Sequence, residues 1–196
     1  LSHKNGFVPG TCALGLCYET GMGVQPDAAL AVELYRQAAE AGHVPAQCNL
    51  GFCYYQGIGV KEDNEEAVRW FAAAAEQDYP RALNLLGECY DFGYGLEKDE
   101  AKAAQLYAAA GERGYTPAFT ALGLCYELGR GTEMNLEKAV SLYRKAAEGG
   151  DARGQCNLGY CCYQGIGMEV DDAEAVKWFT KSAEKGYPRA KFLLGQ

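Results

Sequence analysis

Cysteine is the residue type best equipped to do chemistry in this chain. There are nine. Five recur at 36-residue intervals: Cys17, Cys53, Cys89, Cys125 and Cys161. Cys12, Cys48 and Cys156 each lie five residues before a member of that set, and Cys162 stands outside both groups. Thiols in such numbers could pair as disulfides, hold a metal or act as nucleophiles. Two cysteines five apart on one helix have Cα atoms roughly 8 Å apart, beyond the bridging limit of about 7 Å. The count is odd, so pairing could not be complete. There is no C-x2-C, and the two histidines, His3 and His43, form no ligand pattern. The expectation is therefore buried, reduced thiols serving as small hydrophobes in a cytoplasmic or other reducing compartment, with no metal or cofactor.

Other chemistry fares no better. Gly-x-Gly occurs at Gly21/Gly23, Gly57/Gly59, Gly93/Gly95, Gly129/Gly131 and Gly165/Gly167. None extends to the dinucleotide fingerprint, none follows a strand, and no G-K-[ST] accompanies them. Two histidines leave no plausible Ser/His/Asp set. The carboxylates fall at helix caps and solvated faces. A non-catalytic protein is expected. A net charge of −8 argues against binding a phosphate backbone and is compatible with a basic partner. No apolar run is long enough for a membrane helix. No signal peptide is visible, but Lys4 to Pro9 reads as the end of a helix and its loop, so the chain is expected to open in mid-repeat.

The elements that carry these residues are set by a strict period. Leu-Gly recurs at Leu14-Gly15, Leu50-Gly51, Leu86-Gly87, Leu122-Gly123, Leu158-Gly159 and Leu194-Gly195. A period of this length marks a stacked repeat array. In the unit from Pro45, Ala46, Leu50, Cys53 and Tyr54 form one helical stripe, and Ala67, Trp70, Phe71, Ala74 and Ala75 form a second. Asp27, Asp63, Asp99, Asn135 and Asp171 stand as N-caps, with Glu66 placed to complete a capping box at Asp63. Gly57 ends the first helix, and Gly42, Asp78, Gly114, Gly150 and Gly186 end the second. The mid-helix glycines Gly15, Gly51, Gly87, Gly123 and Gly159 each cost about 1 kcal/mol against Ala, so a close helix contact is expected there. The aromatic series Tyr35, Phe71, Tyr107, Tyr143 and Phe179 is the candidate neighbour. A longer identity lies over the period: Gln47–Gly51 returns as Gln155–Gly159, and Tyr79–Ala82 as Tyr187–Ala190. The offset is 108 residues, a duplicated block of three units.

The pattern Ala46-x3-Leu50-Gly51-x2-Tyr54-x2-Gly57-x-Gly59-Val60-x2-Asp63-x3-Ala67-x2-Trp70-Phe71-x2-Ala74-Ala75-Glu76 resembles the Sel-one-like repeat (SLR) family of tetratricopeptide-like proteins. The resemblance implies an all-α fold, an alpha-alpha superhelix (a right-handed solenoid) of antiparallel helix pairs. It implies one array over residues 1–196, with units near 9–44, 45–80, 81–116, 117–152 and 153–188 and partial units at both ends. A cysteine-rich, secreted branch of the family bridges the position of Cys12, Cys48 and Cys156 to the end of the preceding second helix. Ala39, Ala75 and Ala147 occupy those places here, so that ladder is not expected.

The resemblance also implies an adaptor or scaffold for proteins. The alternative is an architectural spacer or self-association module of a larger multidomain protein. By analogy with tetratricopeptide packing, the first helix of each unit lines the concave side. The inward series are then Leu16, Phe52, Glu88, Leu124 and Tyr160; Glu19, Tyr55, Asp91, Glu127 and Tyr163; Thr20, Gln56, Phe92, Leu128 and Gln164; and Cys12, Cys48, Asn84, Thr120 and Cys156. These positions vary between units, as a binding surface on a repeated frame would. The candidate partner-binding residues are Phe52, Tyr55, Glu88, Asp91, Phe92, Glu127, Tyr160 and Tyr163. The expected ligand is a protein or peptide with apolar anchors and basic residues, bound to a monomer, without nucleic acid or membrane insertion.

Overall fold

The computed structural model describes residues 8–195. Lys4 to Phe7, read above as the end of a preceding element, lie outside them. Among the described residues there are eleven helices and no strand. They are α1 (Val8–Thr20), α2 (Ala28–Glu40), α3 (Val44–Gln56), α4 (Asn64–Ala75), α5 (Pro80–Phe92), α6 (Glu100–Glu112), α7 (Thr116–Leu128), α8 (Leu136–Glu148), α9 (Ala152–Gln164), α10 (Asp172–Glu184) and α11 (Pro188–Leu194). The chain divides into two compact units, residues 1–98 and 99–196.

Helices of 12 or 13 residues are marginal in water by themselves, and here each gains stability from its sequence neighbours. In the N-terminal unit α3 packs on both α2 and α4; in the C-terminal unit α9 packs on both α8 and α10. The first unit buries Tyr35, Leu50 and Phe71 completely, and the second buries Tyr143 and Leu158 completely with Phe179 nearly so. Each such side chain contributes about 1.5–3 kcal/mol. Leu14 and Leu194 of the outermost Leu-Gly pairs stay exposed.

Four of the mid-helix glycines share one cause. A Cβ on Gly51 would lie 2.8 Å from the Phe71 ring, and one on Gly15 2.8 Å from Tyr35. The C-terminal unit repeats this at Gly123 against Tyr143 and Gly159 against Phe179. In these four pairs the first helix is thus drawn onto the aromatic of the second, at the position the period marks.

The caps form as the sequence suggests, with one difference. Asp27, Asp63, Asp99, Asn135 and Asp171 each accept from the backbone N–H three residues on. The capping box at Asp63 is only half made. The Asp63 N–H donates to the Tyr54 carbonyl, and the Glu66 carboxylate turns to Arg69 at 2.6 Å. The loop from α3 has already claimed the donor that the box would use. Asp78 takes the left-handed conformation, φ 58°, that glycine supplies at the equivalent helix ends.

No cysteine is bridged. Amide side chains join neighbouring helices beside Cys48 and Cys156. Gln47 Nε2 donates to the Ala39 carbonyl at 3.4 Å, and Gln155 Nε2 to the Ala147 carbonyl at 3.1 Å.

Candidate functional site

In the N-terminal unit, α3 and α5 bring an aromatic group together. The Tyr55 ring stands edge-on to the buried Phe71 at 6.3 Å and reaches Tyr94 at 5.7 Å. Tyr94 stacks on Phe92 at 5.6 Å. Phe92 is 54% exposed and Tyr94 39%. Burial first, and the nearby Glu88 charge second, push the Tyr55 hydroxyl up to about 12. Glu88 itself accepts from Asn84 Nδ2 at 2.9 Å. The result is an apolar, partly exposed surface with a carboxylate beside it.

Tyr94 was not among the sequence candidates. Its signal was the middle residue of Gly-x-Gly, which reads Met22, Ile58, Tyr94, Arg130 and Ile166. Only this unit places an aromatic ring there.

Phe52 sits half-buried, with the Arg81 guanidinium 5.0 Å from its ring centroid. Arg81 also donates to Asn49 Oδ1 at 2.8 Å. In the C-terminal unit Tyr160 and Arg189 repeat this relation at 5.0 Å. Tyr163 is 51% exposed and lines an open cavity of about 350 Å³ with Val176, Phe179, Leu193 and Leu194.

Three expectations need correcting. Asp91 is buried, only 3% exposed, and so does not lie on an accessible face. Glu127 is half-buried, and its carboxylate accepts the Tyr143 hydroxyl, so it is anchored to the core instead of projecting outward. The series Cys12, Cys48, Asn84, Thr120 and Cys156 is buried throughout. α3, α7 and α9 each have helix neighbours on two sides, and the register of Cys48, Thr120 and Cys156 falls between them.

Four of the buried thiols are chemically quiet. Burial pushes Cys48 up to about 11, and Cys53, Cys89 and Cys161 up to about 12, which suppresses the thiolate needed for nucleophilic or metal chemistry. Among the described residues no group of three His, Cys, Asp or Glu side chains could hold a metal, and no helix is long and apolar enough to cross a membrane.

Comparison with known proteins agrees with this architecture. Residues 8–43, 44–79, 80–115, 120–151 and 152–187 each match the Sel1 repeat. A crystal structure of a Sel1 repeat protein from Oxalobacter formigenes is 34% identical, with a TM-score of 0.88 over 95% of this chain and 74% of that one. A protective antigen of uropathogenic Escherichia coli with an SLR fold is 40% identical, with a TM-score of 0.82 over 98% of this chain. This chain spans only 41% of that antigen's length. Helicobacter pylori cysteine-rich protein B is 28% identical over 69% of this chain, with a TM-score of 0.55. Curated protein sequences give no match. Five successive repeat matches covering most of the sequence place the chain in the Sel1 repeat family.

Proposed function

We propose that this chain is a non-catalytic protein-interaction scaffold, and that the N-terminal unit engages its partner through Tyr55, Phe92 and Tyr94. The observation that carries this reading is the contacting, partly exposed aromatic group beside Glu88. Rings held by core contacts give apolar area at small entropic cost, which suits them as anchors. The acidic chain and the Glu88 carboxylate favour a segment in which basic residues accompany apolar ones. The C-terminal unit offers Tyr160 and Tyr163 as a separate contact region. We read the protein as a monomeric array working in a reducing compartment, in keeping with its unbridged cysteines.

The test is selection of binding peptides from a random displayed library, followed by affinity measurement with purified variants. Selected peptides should combine aromatic or large aliphatic residues with Lys or Arg. Tyr55→Ala or Phe92→Ala should cost about 2 kcal/mol, roughly 30-fold in Kd. Glu40→Ala, on an exposed position of α2, should leave affinity unchanged. Peptides that bind Tyr55→Ala and Phe92→Ala as well as the parent would reject this face. Tyr163→Ala tests the C-terminal unit separately.

A further inference from the structure

The chain has two tryptophans, and they occupy equivalent places three repeats apart. Trp178, on α10, is 5% exposed. Its indole N–H donates to Glu174 at 2.7 Å. Lys181 Nζ lies 4.4 Å from the ring centroid and Lys177 Nζ 5.6 Å. The aromatic face is covered by the protein's own cations.

Trp70, on α4, is only half-buried and lines an open groove of about 540 Å³ with Arg36, Tyr54, Glu66, Arg69 and Ala73. Three of the residues lining it differ from the duplicate, Tyr54 standing for Cys162, Arg69 for Lys177 and Ala73 for Lys181. Ala73 stands where the duplicate has Lys181, so no side chain lies across the ring from that position. Glu66, the equivalent of Glu174, is paired with Arg69 at 2.6 Å. Glu174 serves both Lys177, at 3.1 Å, and the Trp178 indole, whereas the Glu66 carboxylate meets Arg69 and the Trp70 indole N–H makes no hydrogen bond among the described residues.

The charges of the two places correspond. Arg36, Arg69, Asp63 and Glu66 line the groove; the equivalent residues of the duplicate are Arg144, Lys177, Asp171 and Glu174, with Lys177 3.1 Å from Glu174. That balance still accommodates a third cation, Lys181, over the indole. In the groove both arginines are already engaged, Arg36 by the Tyr54 hydroxyl at 2.8 Å and Arg69 by Glu66. The site that Lys181 fills in one copy is empty in the other.

We propose that the Trp70 groove receives a lysine side chain of a partner protein, its ammonium seated over the indole as Lys181 is seated over Trp178. Cation–π attraction to the strongest aromatic acceptor supplies the recognition, and the stem of the lysine covers the apolar floor at Ala73. This contact lies on a second helix of a repeat and is independent of the Tyr55 group on the first helices. Each lysine contributes weakly, so the groove adds selectivity to a larger interface.

Two tryptophans make a direct readout possible. In a uniformly ¹⁵N-labelled sample the two indole N–H signals are followed while the blocked tripeptide acetyl-Ala-Lys-Ala-amide is titrated to millimolar concentration. The Trp70 signal is expected to shift progressively while that of Trp178 stays fixed. The norleucine version of the peptide should give no shift. Ala73→Lys supplies the cation internally and should abolish the response. Lys181→Ala should make the Trp178 signal responsive as well, a gain that loss of folding cannot mimic. No Trp70 shift with the lysine peptide, an equal shift with the norleucine peptide, or an unchanged response in Ala73→Lys would overturn the proposal.

Discussion

The hydroxyl of Tyr143 donates to the carboxylate of Glu127, sixteen residues earlier in the chain. Tyr35 and Glu19 repeat the relation at 2.5 Å in the N-terminal unit. Where the core aromatic is Phe, at Phe71 and Phe179, the residue sixteen before it is Tyr, at Tyr55 and Tyr163. Tyr is thus coupled with an acid and Phe with a tyrosine. Burial and the carboxylate together push both buried hydroxyls upward and keep them protonated donors. This pairing yields the first prediction. Tyr143→Phe should cost about 1–2 kcal/mol, because Glu127 loses a donor. Adding Glu127→Tyr should recover most of that loss, since it recreates the Tyr163–Phe179 arrangement. Urea denaturation of the two single variants and the double variant gives the coupling directly; strictly additive costs would refute it.

Gly51→Ala offers a contest between propensity and packing. Alanine improves helix propensity by about 1 kcal/mol, but its Cβ would lie 2.8 Å from Phe71. Overpacking of this kind costs about 1–3 kcal/mol, so the melting temperature should fall. A rise would mean that the α3–α4 contact yields easily.

All nine cysteines should titrate as thiols when the never-reduced protein is denatured. In the native state the half-buried Cys17 should react first, ahead of the eight buried positions. A denatured count well below nine would contradict the unbridged arrangement.

Stability should decline in alkali. Cys48, Cys53, Cys89 and Cys161 titrate from 9.0 when unfolded but at about 11 to 12 when folded. The unfolded chain therefore releases protons first as pH rises. The stabilising contribution is complete below pH 9 and is lost progressively from about 9 toward 12, by up to about 1.4 kcal/mol per pH unit for each thiol. Thermal melts between pH 8 and 11 check this, and a flat melting temperature across that range would be the contrary result.

Strict period made the helix pairs, the caps and the contact of Gly51 with Phe71 readable without coordinates. Each of those features recurs at one phase of the repeat, so one physical cause explains all copies. The surface was less legible. Variation along Glu19, Tyr55, Asp91, Glu127 and Tyr163 suggested a face free to diversify, yet part of it follows the hydrogen-bonding needs of core aromatics sixteen residues away. Tyr94 escaped notice because it sits in a loop, where helical stripes carry no information. Cys48 occupies a register that a helix wheel shows as outward for an isolated pair; packing of α3 on α2 as well as α4 buries it.

In the N-terminal unit, Gly59 rests on the start of α2 and Gly95 on the start of α4: a Cβ on either would come within 2.1 Å of the carbonyl oxygen of Ala28 or Asn64. Each loop therefore touches down on the helix start one repeat behind it. That touchdown acts as a ruler. Adding or removing a single loop residue would miss the landing point and leave the glycine suspended, whereas adding or removing a whole period would land the next loop on an equivalent start. Gain and loss of whole repeats preserves this touchdown, and the 108-residue self-similarity is the kind of copy such a ruler lets pass.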